Sequence, residues 1–159
     1  MGVIRARTGI SAPHLDELRA LLGADGVLAS EAARFTYETD ALVLERHLPD
    51  VVVLPRTTDE VAAIVRWARA RGLPVTVRGA GTGLAGGATP EHGGVVLSVN
   101  RMDQVMRVDA ERMFAWVQPG LVNLWLSQQL APHGLYYAPD PASQQVSTLG
   151  GNVATNAGG

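Results

Sequence analysis

Two runs of small residues carry the chemistry this chain is equipped for. The first is Arg78-Gly79-Ala80-Gly81-Thr82-Gly83-Leu84-Ala85-Gly86-Gly87. The second is Thr148-Leu149-Gly150-Gly151-Asn152-Val153-Ala154-Thr155-Asn156-Ala157-Gly158-Gly159. Without Cβ atoms, such backbone can approach a ligand closely and turn successive N–H groups toward an anion. Thr82 adds a hydroxyl to the first run. Asn152, Thr155 and Asn156 add donors and acceptors to the second. Two such loops in one small domain suggest a long, phosphate-bearing ligand gripped at more than one point. Asn152 and Asn156 also suit turns and helix caps, and Pro119-Gly120 is either a helix start or a further ligand contact. These plainer readings stay open.

Composition removes several other chemistries. All 13 basic residues are arginine, so there is no lysine for a P-loop or a Schiff base. There is no cysteine, which excludes disulfides, thiolate metal ligands and a cysteine nucleophile. His14, His47, His92 and His133 stand far apart, without a metal-type spacing, so no metal site is expected. The arginines are scattered and the net charge is −2, so no strong field draws nucleic acid. A chain of 159 residues, 47% hydrophobic, can bury one core. No apolar run approaches the roughly 20 residues of a membrane span. The start of the chain carries arginines without the apolar stretch of a secretory signal. A cytoplasmic location is expected, with membrane association through a complex left open.

The loops must be held by the elements around them. His14–Leu22 reads as a short helix with Leu15, Leu18, Leu21 and Leu22 on one face, ended by Gly23. Residues 30–48 lack clean periodicity. Val51-Val52-Val53-Leu54 reads as a buried strand stopped by Pro55. Thr57-Thr58-Asp59-Glu60 is a capping box opening a helix with Val61, Ile64, Val65 and Ala68 inward, Arg66, Arg69 and Arg71 late, and Gly72 at its end. Residues 74–78 form the next strand, which completes a β-α-β unit with parallel strands. Val95–Val99 is a further strand. Met106–Asp109 and Phe114–Val117 pair as an antiparallel hairpin. Leu121–Ala131 is an amphipathic helix offering Leu121, Leu124, Trp125 and Leu130 to the core, with Gly134 as its stop. Residues 136–143 are proline-rich and irregular.

Gly81-Thr82-Gly83-Leu84-Ala85-Gly86 satisfies G-x-G-x-x-G, but a dinucleotide fingerprint must open a helix. Residues 87–94 contain three glycines and a proline before the next strand, which leaves no room for one. A Rossmann reading therefore requires a helix directly after Gly86. The better alternative is a loop that wraps a pyrophosphate with its own N–H groups and needs no side-chain cation.

From Pro49 to Gly159 the sequence resembles the FAD-binding domain of the vanillyl-alcohol oxidase superfamily, also called the PCMH type. Within it, the chain is most similar to the D-2-hydroxyacid branch of glycolate oxidase FAD-linked subunits and D-lactate dehydrogenases. Pro55-Arg56-Thr57-Thr58-Asp59-Glu60-Val61, the first glycine run, and Pro139-Asp140-Pro141-Ala142-Ser143 with Gly150–Gly159 carry the likeness, in that order. The resemblance implies an α+β fold: a β-α-β subdomain followed by a mixed sheet with flanking helices. It implies a helical lead-in over 1–48 and an FAD-binding domain over 49–159, incomplete at its C-terminus.

Residue roles follow from the same likeness. Gly79, Ala80, Gly81, Thr82, Gly83 and Leu84 would bind the FAD pyrophosphate, with Gly87 and Ala88 near it. Pro55 would sit beside the adenosine half. Pro139, Asp140 and Ser143 would lie along the cofactor. Gly150, Gly151, Asn152, Thr155, Asn156, Gly158 and Gly159 would approach the flavin or its ribityl chain. Many relatives tether FAD through a histidine where Thr82 stands, so FAD is expected to be non-covalent here. The family's catalytic and metal-binding histidines match no residue of this chain, so it would contribute binding only. The implied reaction of a complete protein is oxidation of a D-2-hydroxy acid to a 2-oxo acid, with a cap domain for the hydroxyacid and other subunits or an electron acceptor as partners. On its own the chain is expected to be poorly stable, to hold FAD weakly and to turn nothing over. The alternative is a non-catalytic nucleotide-binding subunit or fragment.

Overall fold

The computed structural model describes residues 9–159; residues 1–8, part of the stretch read for a secretory signal, lie outside the described residues. Helix α1 (Ala12–Leu22) starts with Pro13 in its first turn, where a missing N–H does no harm. Its Leu18 is fully buried, with Leu15 and Leu22 packed beside it. Leu21, expected inward, faces solvent. The covered stripe is 15, 18 and 22, the face that meets the next long helix and strand β1 (Val27–Leu28). That two-residue strand and the short helix α2 (Glu31–Phe35), capped by Ser30, lie in or beside the stretch without periodicity.

Strands β1, β2 (Val51–Val53), β3 (Val75–Arg78) and β4 (Val95–Ser98) form one sheet in the order β1-β2-β4-β3. β1 runs antiparallel to β2, while β2 and β3 both run parallel to β4. Both ends of the β-α-β unit are therefore present as parallel strands, and β4 lies between them. β2 and β4 are buried along their whole length, which explains their unbroken valine and leucine runs.

Helix α3 (Thr58–Ala70) links β2 to β3. Thr57 Oγ1 accepts the Glu60 N–H at 3.2 Å, and the Glu60 carboxylate accepts the Arg56 N–H at 2.6 Å, one residue before the cap. Ile64 and Ala68 are buried as expected, but Val65 is exposed and Trp67 is buried instead. The reason is the second cover that α1 lays on α3, where Trp67 Nε1 donates to Glu17 Oε2 at 2.7 Å.

A second, smaller core lies under the antiparallel hairpin of β5 (Val105–Asp109) and β6 (Phe114–Val117). Leu121, Leu126, Leu130 and Leu149 fill it. Helix α4 (Asn123–Leu130) starts two positions later than the sequence pattern indicated, so Leu126 turns inward and Trp125 outward. Gly134 takes a left-handed conformation after it.

The largest departure is the second glycine run. It is not a loop: Leu149–Ala154 is a short helix, α5, with Thr148 as N-cap accepting the Gly151 N–H at 3.4 Å. The Leu149 and Gly150 N–H groups donate to Leu121 O and Pro119 O, so tertiary contacts anchor a segment of low helix propensity. Asn156, with φ of 52°, follows the helix end, the plainer of its two roles.

Candidate functional site

β3 delivers the chain into the first glycine run and β4 takes it away. Between Gly86 and Val95 there are only turns and irregular backbone. The helix that a Rossmann site demands is missing from this span, and that reading falls.

The loop is open in a specific sense. Among the described residues, no N–H from Gly79 to Ala88 donates to another backbone or side-chain acceptor. Two of its carbonyls are engaged, by contrast: Gly81 O accepts from Ala41 N–H at 3.0 Å, and Gly86 O from Thr89 N–H at 3.1 Å. A row of N–H groups without protein acceptors is what an anion-binding nest requires.

The glycines divide by what surrounds them. A Cβ on Gly79 would strike Thr148 Oγ1, and one on Gly81 would strike the Arg78 guanidinium. Protein packing explains both. A Cβ on Gly87 would meet nothing within 4 Å, and one on Gly83 would meet only Asp40 Oδ2 at 4.0 Å. Packing within the protein gives no reason for glycine at either place, whereas close approach of a ligand does.

Buried polar atoms point to the same region. Asp40 Oδ2, Ser98 Oγ, Ser147 Oγ and Asn152 Nδ2 are buried without a protein partner. Folded proteins leave few such atoms. Asp40 neighbours Gly83, Ser98 pairs in register with Arg78, and Ser147 and Asn152 belong to the cap region and body of α5. The hydroxyls of Ser98 and Ser147, the Asn152 amide and the glycine spaces fit a pyrophosphate-bearing cofactor, while the Asp40 carboxylate, an acceptor, suits a hydroxyl or N–H donor and not a phosphate.

The structure brings the two glycine segments together where Gly79 meets Thr148. The rest of the second segment behaves differently from the first. Most N–H groups of 149–157 are used within α5 and its anchors, whereas those of Gly158 and Gly159 meet no protein acceptor among the described residues. Thr155 Oγ1 donates back to Gly151 O at 2.9 Å. Asp140 N–H donates to Gly158 O at 2.9 Å, and Gly159 packs on Asp140 O. Pro139 O accepts from Asn123 Nδ2 at 3.2 Å, and Ser143 O from the N–H groups of Val146 and Ser147 at 2.8 Å. Pro139, Asp140 and Ser143 thus gather around α4 and α5. Gly150 and Gly120 are explained by packing, against Pro119 and against Val99 O. Pro55 is fully buried at the end of β2, where it shapes the turn and offers no surface. Thr82 and Ala88 are half-buried, and Leu84 is exposed.

Sequence reasoning passed over the segment before β2. Arg78, nine-tenths buried, donates from Nη1 to Thr39 O at 2.7 Å and lies 5.5 Å from the Tyr37 ring centroid. Asp40, 4% exposed, accepts the Leu42 N–H on Oδ1 at 2.9 Å. Its own N–H donates to Thr89 Oγ1 at 3.2 Å. Leu42, Leu44, Glu45, Ala85, Gly86 and Thr89 share a cleft of about 350 Å³ beside the loop. No local pattern announces such contacts, because they join side chains to backbone carbonyls far off in the chain.

The FAD binding domain family model matches residues 49–159, and the chain belongs to that family, of the PCMH type expected above. The chain is 46% identical over 133 residues to the glycolate oxidase subunit GlcD of Escherichia coli K12, covering 84% of this chain and 27% of that protein. It is 38% identical to the glycolate oxidase subunit GlcD of Bacillus subtilis, covering 91% and 31%. A D-lactate dehydrogenase of Archaeoglobus fulgidus is 42% identical, covering 82% and 29%. The chain thus spans less than a third of the length of these relatives. Among solved structures, an alkyldihydroxyacetonephosphate synthase superposes with a TM-score of 0.83 at 30% identity, over 92% of this chain and 32% of that one. p-Cresol methylhydroxylase shares the fold, with a TM-score of 0.74 at 23% identity over 91% and 30%. The mixed α+β architecture is therefore that of the family. No described helix is long and apolar enough to cross a membrane.

Proposed function

We propose that this chain is the FAD-binding portion of a flavin-dependent oxidoreductase that converts a D-2-hydroxy acid, of the glycolate or D-lactate kind, to the 2-oxo acid. The observation that carries the reading is the run of unengaged N–H groups from Gly79 to Ala88, with open space at Gly83 and Gly87. The names of the relatives supply the substrate class. In this proposal Gly79–Leu84 hold the pyrophosphate through backbone N–H groups, with Thr82 Oγ1 as an added donor and Gly87 and Ala88 completing the wall. Asn152 offers its unpartnered Nδ2, and Thr155, Asn156, Gly158 and Gly159 form the surface beyond α5. Pro139, Asp140 and Ser143 line the adjoining edge, and Gly150 and Gly151 let α5 come close. Pro55 acts from beneath, as part of the framework. FAD, when bound, supplies the hydride acceptor. This chain's groups bind and orient it, while the groups that handle the hydroxy acid, and the subunits or acceptor that take the electrons, lie outside the chain.

Thr82 has no atom able to form the histidyl tether of covalent relatives, so FAD is non-covalent in this reading. The test is a titration of the purified chain with FAD, followed by flavin fluorescence, and then acid precipitation. Saturable quenching of low affinity, with all flavin released into the acid supernatant, is expected. Absence of saturable binding overturns the FAD reading, and flavin retained in the pellet overturns the non-covalent one.

A further inference from the structure

We infer that Arg78 is a positioning residue of the first glycine loop, and that residues 37–42, upstream of the family-matched region, form part of the same cofactor site. The inference rests on the reading of 79–88 as the pyrophosphate loop; it gives a role to Arg78, at the head of that run, and extends the site to residues 37–42, which lie outside the family match.

The geometry is that of a strap. Ala41 N–H holds Gly81 O at 3.0 Å, and Asp40 N–H holds Thr89 Oγ1 at 3.2 Å. The strap thus grips the loop near its start and just past its end. Engaging the loop from the carbonyl side leaves its N–H groups for another acceptor. Arg78 closes the arrangement from the end of β3. Its Nη1 is committed to Thr39 O at 2.7 Å, while its Nη2 lies where a Gly81 side chain would project.

The charge of Arg78 is the second argument. Only 9% of the residue is exposed. Among the described residues, its Nη2 and Nε have no protein acceptor and no carboxylate lies within ion-pair distance of it. A buried cation without a direct counter-ion is unfavourable, and an anion held on the neighbouring N–H groups relieves it. Burial draws the guanidinium's pKa down, and Tyr37 and Asp40 partly oppose this. Arginine nonetheless remains charged at any working pH, so the loop keeps a fixed positive charge against Gly81. Read from sequence, the loop needed no side-chain cation; the fold supplies one in Arg78, at its head.

The test measures FAD and ADP binding to the purified chain over a range of salt concentrations. Arg78→Gln removes the charge, and its shorter side chain also gives up the Nη1 bond to Thr39 O. We expect it to weaken FAD and ADP by roughly tenfold or more, the scale of a lost charge-assisted interaction, and to flatten the salt dependence. Arg78→Lys, which restores the charge, should recover much of the affinity. Thr89→Val removes only the anchor of Asp40 N–H and should weaken FAD by a few-fold. Wild-type affinity and salt slope in Arg78→Gln would overturn the inference while leaving the FAD reading intact. So would an affinity loss that Arg78→Lys shares in full. If Arg78→Gln does not fold, wild-type affinity in Thr89→Val overturns it instead. A wild-type chain that binds neither FAD nor ADP removes both readings together.

Discussion

At the scale of single residues, the glycines of this chain serve opposite ends, and substitution separates them. Gly87 has nothing within 4 Å of the place its Cβ would occupy. Gly87→Val should leave thermal stability within about 0.5 kcal/mol of wild type, the usual range for surface changes, while markedly weakening FAD. Gly120 is the reverse case, since its Cβ would collide with Val99 O and lie 2.9 Å from Met102 O. Gly120→Ala should destabilise the chain by about 1–3 kcal/mol, as overpacking does. Thermal melts and FAD titrations on the same two variants check both expectations. Equal effects of the two on stability would sink the distinction. The sequence shows that both positions are glycine and cannot say which glycine serves packing and which leaves room for a ligand, because that depends on neighbours far along the chain.

At the scale of elements, the junction of α1 with α3 was the least legible part of the helical layer. Trp67 was not among the inward residues read from periodicity, because a 3.6-residue repeat reports one buried stripe and α3 has a second neighbour. Glu17 Oε2 accepts from Trp67 Nε1 and from Arg71 Nη2 at 2.6 Å, and Arg71 lies 4.6 Å from the Trp67 ring centroid. The Trp67 hydrogen bond, opposed by some desolvation and aided by the charges of Arg71 and His14, holds the Glu17 carboxyl below its ordinary value of 4.5. The folded pKa lies below the unfolded one. Glu17 therefore contributes stability that is complete above pH 4.5 and is lost as pH falls through the folded value. Glu17→Gln should melt lower than wild type at neutral pH and converge with it in acid. Melting curves between neutral and strongly acidic pH test this, and a constant gap across the range would contradict it.

At the scale of the whole molecule, two cores meet at the glycine segments, and the outer face of the hairpin is left apolar. Met106 and Trp116 on the hairpin are 68% and 62% exposed, with Met113 and Phe114 beside them. An apolar cluster of this kind on a strand pair favours association. The chain should self-associate as its concentration rises, and Trp116→Lys with Met106→Lys should hold it monomeric in size-exclusion chromatography. A wild-type chain that stays monomeric at high concentration would refute this.

Sequence alone determined the β-α-β unit, the hairpin, the capped start of α3 and the open character of the first glycine run. Each rests on local rules: periodicity, a capping pair, or a density of residues without Cβ. Tertiary structure decided the rest. It placed β4 between β2 and β3, since pairing partners are chosen by burial and not by order along the chain. It also turned the second glycine run into α5, because Leu121 O and Pro119 O anchor that helix's first turn. Finally, it drew Thr39, Asp40 and Arg78 around the first loop, because the buried Arg78 places its Nη1 on the carbonyl that the fold presents, and no spacing in the sequence records where that is.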